Sequence, residues 1–342
     1  MTWVSVVVPA YKGERFIADA VRSVRSQTLC EWELIVVDDG SPDDSAKVAR
    51  QAAQDDARIR VVHKDNGGVA TARNHGFTES DRRAPYILFL DQDDRLLPGA
   101  LHALVKALND TANVVASHGR MTGLDADGHI YPTAESLYLS DRWGPSLSRP
   151  VRWPKHRSTT LGVLMLMNVM RTPGLTLMRK DTLRRIGLFD QSLAPADDLD
   201  MALRLAMAGP IAYVDRVVLC YRMHDANVTL THGRLTDDAT VRAYKKALSS
   251  PTLSYAQREE ARRAYMWQGK HVDRYIFWRY ILWTRENIRN GDLLLAAKQI
   301  RHAAMAKVHY LRAFPGLPWS LDVPNDSVLS SGGKATAASC LC

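Results

Sequence analysis

Residues 86–94 read YILFLDQDD: five apolar residues, then carboxylates at Asp91, Asp93 and Asp94, with Gln92 between them. A run this short, rich in β-branched or aromatic residues and stopped by polar groups, predicts a buried strand. Three similar runs precede it, at Val4 to Val8, Leu34 to Val37 and Ile59 to Val62. Helical periodicity lies between them. Glu14 to Thr28 places Phe16, Ile17, Ala20, Val21 and Val24 on one face, and Ser45 to Ala53 and Val69 to Phe77 read as further helices. The resulting β-α-β-α-β-α-β order predicts a doubly wound α/β sheet with right-handed crossovers.

Ligands of such sheets bind beyond the carboxyl ends of the strands. The polar residues of this chain gather there: Pro9, Ala10 and Tyr11 after the first strand, Asp38 to Ser41 after the second, Asp91 to Asp94 after the fourth. These loops are expected to converge on one crevice. A divalent ion held by carboxylates neutralises the charge that grows on a departing diphosphate, and carboxylates alternating out of a strand can serve a metal and a ribose. A solvated acidic turn is the plainer alternative for that segment. Asp39 can accept from a base N–H or ribose hydroxyls, with Gly40 allowing close approach, but Ser41, Asp43 and Asp44 equally suit a helix cap. Asn66-Gly67-Gly68 offers free N–H groups ahead of a helix, and Arg73 could reach a base or phosphate. The spacing is not GxGxxG, and a purely structural loop stays open.

From about Ala100 the pattern loosens. Leu101 to Leu108 reads as helix, Asn113 to Ser117 as strand, Asp125 to Arg157 as loop. A second ordered block follows, with strands at Leu175 to Met178 and Val214 to Tyr221, and helices at Lys180 to Ile186 and Asp198 to Ala208, the last stopped by Gly209.

The 342 residues are 46% hydrophobic and 24% charged, an ordinary globular composition. Cys30, Cys220, Cys340 and Cys342 form neither a disulfide framework nor a CxxC pair, which fits a reducing, cytoplasmic setting. No signal peptide is expected from MTWVSVVVPAY, and the apolar run Leu161 to Met170 is about half the roughly 20 residues a membrane span needs. The net charge of +8 is concentrated: Leu235 to Phe314 holds 15 Lys/Arg against 7 Asp/Glu, among many aromatic residues. Such a helical segment can meet an anionic lipid surface, a polyanionic acceptor or a second copy of the chain. Nucleic acid is not an expected partner, because no nucleic-acid module accompanies the charge.

The segments VSVVVPAYKGERFI, ELIVVDDGSPDDS, NGGVATARNHG and YILFLDQDD, followed by PGLTLMRKDTLRRIGLFDQSL, DDLDMALRLAMAG and YRMHDANVT, together resemble glycosyltransferase family 2 over about residues 3–230. The resemblance implies a GT-A domain over 1–230, ahead of a basic, aromatic-rich helical region (231–320) and a disordered tail (321–342). It implies an inverting transfer from a nucleotide-diphosphate sugar, with a UDP-sugar as the expected donor, to a glycan, lipid-linked or small-molecule acceptor, assisted by Mg²⁺ or Mn²⁺. By this resemblance Pro9, Ala10, Tyr11, Asp39, Arg73, Asp91 and Gln92 bind the donor, Asp93 and His224 hold the metal, Asp94 assists, and Asp198 is the general base. The family usually has Glu-Asp where this chain has Asp197-Asp198, which leaves the role of Asp197 open; either aspartate also suits an N-cap. Two other readings stand beside it. A sugar-phosphate nucleotidyltransferase would want a glycine-rich basic loop after the first strand, of which Tyr11 to Arg15 is a poor version, and an inactive nucleotide-sugar-binding protein would not need Asp93 and Asp198.

Overall fold

Val4–Ala10 (β1) is buried at all seven positions, and its alternation fixes what lies on either side of the sheet. Val4, Val6 and Val8 pack with Ile17, Val21 and Val24 of the helix Ile17–Arg25 (α1) and with Ala49 of Ser45–Ala53 (α2). Val7 faces the other way, against the helix Val69–Glu79 (α3), where a Cβ added to Gly76 would collide with Val7 and Val37. A larger residue at 76 would push α3 off the sheet. In the computed structural model, residues 3–131, 143–144, 151–152, 154–227 and 233–266 are described.

β1 pairs in parallel with Trp32–Asp39 (β2) and with Tyr86–Phe89 (β4), and β2 in parallel with Ile59–Lys64 (β3). This is the expected doubly wound half. Beyond β4 the sheet changes character. Thr176–Arg179 (β10) inserts antiparallel between β4 and Ala116–Leu124 (β6), and Ile211–Arg222 (β11) lies parallel to β6 and antiparallel to Arg95–Leu96 (β5). The order is β3-β2-β1-β4-β10-β6-β11-β5, with Ile130–Tyr131 (β7) a hairpin partner of β6. Two-residue strands at Trp143–Gly144 (β8) and Val151–Arg152 (β9) pair with each other within the expected loop-rich stretch.

Several boundaries differ from the sequence expectation. The first helix begins at Ile17 rather than Glu14, because Lys12 takes a left-handed φ of 53° and the next residues turn. The strand expected at Asn113 begins at Ala116: Asn113 is left-handed at φ 59°, turning the chain out of the helix Ala100–Asp110 (α4). The apolar run from Leu161 folds into a short helix, Leu161–Leu166 (α5), with all six residues buried. Among the described residues no helix is long and apolar enough to cross a membrane.

Lys180–Ile186 (α6) and Asp197–Ala208 (α7) complete the block. Gly233–Ser249 (α8) adds to it through Lys246, whose Nζ lies 2.7 Å from Asp190 and 2.9 Å from Asp200. Residues 255–266 are helical, with Glu260 accepting from Thr160 Oγ1 at 2.9 Å. The first compact unit runs through Tyr265. Residues 267–342, which include most of the basic, aromatic-rich region and the whole expected tail, lie outside the described residues, as do the membrane or dimer contacts expected of them.

Candidate active site

Because β1 and β2 run in register with Ala10 opposite Asp38, their exits stand side by side. The exit of β4 joins them through Leu90, whose N–H donates to Val7 O at 2.9 Å. Gln92 then zips the loops together: its Oε1 accepts from Tyr11 N at 2.9 Å and its Nε2 donates to Tyr11 O at 3.0 Å. Gly13 leaves room for it, since a Cβ there would run into the Gln92 amide and push it aside. Pro9 and Ala10 are buried, while Tyr11 is 42% exposed.

Asp39 is 2% exposed and organises the next loop. Its carboxylate accepts from Gly67 N (3.0 Å), Gly68 N (2.8 Å) and Lys64 Nζ (2.5 Å), and its carbonyl accepts from Asn66 Nδ2 at 2.8 Å. The free N–H groups expected of the paired glycines thus point at Asp39. Gly40, at φ 67°, lets this happen, because a side chain there would press on the Asn66 backbone. Asp38 turns away to Ser41 and His63. Burial pushes its pKa up, but the Ser41 and His63 hydrogen bonds outweigh that and leave it below its ordinary value.

Asp93 and His224 meet although 131 residues separate them: His224 Nε2 is 2.9 Å from Asp93 Oδ2. Arg222, 1% exposed, builds the platform beneath. Its Nε donates to Asp93 O, its guanidinium reaches Asp125 O and Asp19 Oδ2, and its backbone N–H donates to Asp94 Oδ1. The Phe16 ring stacks on it at 4.6 Å and meets the His224 ring at 4.9 Å. Asp94 is fully buried, and its Oδ2 has no hydrogen-bond partner. Burial first, and then the nearby Asp93 and Asp91 charges, raise its pKa well above the usual carboxylate range.

The third group surrounds Arg73, which donates from Nη1 to Asp197 Oδ2 (2.8 Å) and from Nη2 to Asp91 Oδ1 (2.7 Å). Burial would lower its pKa, but the two carboxylates raise it further. Asp91 Oδ2 accepts from Thr172 Oγ1 at 3.0 Å. Asp198 is the second residue of α7, keeps an edge open to solvent, and accepts one hydrogen bond, from Leu199 N at 2.6 Å. Its setting in dense protein, together with the Asp197 charge, lifts its pKa to about 7 despite the opposing pull of Arg73.

The donor set at Asp93 and His224 suits a divalent metal: a hard carboxylate oxygen and an imidazole nitrogen face each other at 2.9 Å. An imidazole favours Mn²⁺ over Mg²⁺. Among the described residues, the one group of three His, Cys, Asp or Glu close enough to share an ion lies elsewhere, at Asp125, Asp127 and His129 on the β6–β7 hairpin. There Asp125 Oδ1 accepts from the Asp127 and His129 amides and serves the turn itself. Sequence reading did not single out Thr172, Phe16 as a platform, Asp19 or the web of Arg222. None has a local signal, because each is defined by a partner far along the chain.

The profile described as Glycosyl transferase family 2 matches residues 5–187. An uncharacterized glycosyltransferase of Rickettsia typhi is 28% identical over 231 residues, covering 67% of this chain and 66% of that protein. The chondroitin synthase of Escherichia coli is 26% identical over 232 residues, covering 66% of this chain and 30% of that protein. The chain thus spans less than two thirds of the length of these relatives. Two solved structures share the fold. S. aureus TarS 1-349 in complex with UDP-GlcNAc has a TM-score of 0.58 at 17% identity, over 78% of this chain and 72% of that one. The mannosyltransferase PcManGT from Pyrobaculum calidifontis, in complex with GDP-Man and Mn²⁺, has a TM-score of 0.57 at 16% identity, over 96% and 79%.

Proposed function

The chain belongs to glycosyltransferase family 2 and has a GT-A fold, and from that premise we propose that it is an inverting transferase that moves a sugar from a UDP-sugar to an acceptor hydroxyl. The observation that carries the reading is the contrast between two carboxylates at one end of the sheet. Asp93 faces an imidazole at 2.9 Å, a carboxylate oxygen and a ring nitrogen that one divalent ion could share. Asp198 has a pKa lifted to about 7, the range in which a carboxylate is both ionised and basic enough to take a proton near neutrality. The TarS and PcManGT structures, which carry nucleotide sugars, support the donor class.

Asp91, held at both oxygens, and Tyr11, pinned to Gln92, line the donor side. Asp39 and its glycine loop form the floor where the nucleoside would rest. Bound at Asp93 and His224, a Mn²⁺ or Mg²⁺ would neutralise the charge of the diphosphate. Asp198 accepts the proton of the acceptor hydroxyl, whose oxygen bonds to the anomeric carbon from the face opposite the leaving group. The bond from that carbon to the diphosphate oxygen breaks with its electron pair on the diphosphate, inverting the configuration. The acceptor is a glycan, a lipid-linked or a small-molecule hydroxyl.

The test is a panel of UDP-, GDP- and dTDP-sugars, read by thermal stabilisation with Mn²⁺ and by release of nucleoside diphosphate. Asp93→Asn should abolish the metal-dependent stabilisation. Asp198→Asn should keep it and stop turnover. Normal turnover by either variant, or release of pyrophosphate instead, rejects the reading.

A further inference from the structure

Arg73 is a charged group of the site to which the mechanism above gives no task. It lies on α3, is 5% exposed, and its two terminal nitrogens are committed to carboxylates 18 and 124 residues away, at 2.7 and 2.8 Å. Its guanidinium lies over the Phe189 ring, 5.1 Å from the centroid. The adjacent Asn74 clamps the backbone of that same phenylalanine, donating to Phe189 O and accepting from Phe189 N, both at 2.9 Å. Thr172 holds the remaining oxygen of Asp91. One turn of α3 therefore grips both the exit of β4 and the lead-in to α7.

A fork this well defined suits Arg and not Lys, because its donors lie in one rigid plane and can reach two carboxylates together. We propose that Arg73 is a positioning residue that braces Asp91, on the donor side, against Asp197, so that the first turn of α7 presents Asp198 at a fixed place. The inference rests on the assignment of Asp198 as the base. With Nη1 and Nη2 held by these two partners and only the buried Nε left over, Arg73 acts through Asp91 and Asp197.

The experiment measures kcat, KM and the pH dependence of kcat for UDP-GlcNAc hydrolysis with Mn²⁺, or GDP-mannose hydrolysis should wild type turn over only that donor. Arg73→Lys keeps the charge and loses the fork; kcat should fall by about a hundredfold, the scale of a misplacement near 1 Å, with circular dichroism unchanged. Asp197→Asn keeps the shape and should shift the acidic limb of the kcat profile downward, because the Asp197 charge is what helps raise Asp198. Arg73→Gln should shift the limb upward, because the guanidinium holds it down. A brace with a purely structural role would move melting temperature and neither limb. If Arg73→Lys fails to fold, Asp197→Asn, which is nearly isosteric, decides alone. Wild-type kcat, KM and limb in Asp197→Asn and both Arg73 variants overturn the inference while Asp198→Asn remains dead; a fully active Asp198→Asn instead overturns the functional reading beneath it.

Discussion

The two ends of the central sheet both bury charge, and they do it differently. At the amino ends of β1 and β4, Lys180 is 1% exposed and donates to Ser5 Oγ (2.9 Å), Ser80 Oγ (2.8 Å) and Asp81 O (2.8 Å). Glu33 closes that network, accepting from Ser5 Oγ and Asp81 N, both at 2.6 Å. At the carboxyl ends, Asp198 accepts one hydrogen bond and Asp94 keeps a buried oxygen without a partner. Burial displaces titration at both ends, bringing Lys180 down to about 8 and Asp198 up to about 7. A perturbed pKa therefore does not by itself separate a site from a scaffold. The hydrogen-bonding of these groups differs: the lysine has an acceptor for each of its three N–H groups, whereas Asp198, with one hydrogen bond, and Asp94, with one unpaired oxygen, are left with capacity to bind something.

The largest effect that could break this comparison belongs to Asp198. Its substitution by Asn should lower kcat by about 10²- to 10⁴-fold, the usual worth of a general base, and should also stabilise the fold at pH 8. The sign follows from linkage. With a folded pKa near 7 and an ordinary unfolded value near 3.8, the folded state holds the extra proton between those values, so the ionised aspartate makes wild type progressively less stable as pH rises from about 4 to 7. Asn avoids that cost, by something on the order of 2 kcal/mol above pH 7, and the advantage should vanish below about pH 4. Urea titrations at pH 4 and pH 8 read it; an equal difference at both would mean that the surroundings of Asp198 do not raise its pKa.

Next in size is the opposite end. Lys180→Met leaves Ser80 Oγ, Asp81 O and the Glu33 network short of a cation, and should cost about 3 kcal/mol of unfolding free energy. Donor KM and kcat should stay at wild-type values, because the network is at the far end of the strands. A change in KM without loss of stability would erase the distinction between the two ends.

That distinction was only half legible in the sequence. Alternation in Val4 to Val8 and the abrupt stop of Tyr86 to Leu90 at Asp91 were enough to place three polar loops, two of them bearing carboxylates, at one edge, since parallel strands joined by helices leave their carboxyl ends together. What lay beyond reach depended on pairings over long separations. Nothing near Thr176 says that its strand runs antiparallel between β4 and β6, and nothing near Arg73 says that its partner is Asp197, 124 residues on. Arg73 is expected from sequence to reach a base or phosphate, a little beyond the paired glycines; in the structure its two terminal nitrogens meet Asp91 and Asp197 and its guanidinium lies over Phe189. Lys180 reads from sequence as an ordinary first-turn helix residue, because the strand entries that bury it come from another part of the chain.

The smallest effect concerns a contact at neither end. Lys246 of α8 bridges Asp190 and Asp200, the latter 3% exposed by side chain, while Lys246 itself remains 42% exposed. The Lys246 hydrogen bond, with help from Ser192, holds the Asp190 pKa at about 2. A carboxylate depressed in the folded state contributes stability that is full above its unfolded value, near 3.8, and is lost as pH falls through 2. Lys246→Met should therefore cost no more than about 1 kcal/mol at pH 7, given its exposure, and the gap from wild type should close between pH 4 and pH 2. Because Asp200 shares the first turn of α7 with Asp198, kcat at pH 7 is the sharper measurement. A change of less than about twofold keeps α8 a support for the helix; a drop as large as that expected for Arg73→Lys would make α8 part of the machinery that aims Asp198, and would move the border of the site from the sheet edge into the C-terminal helices.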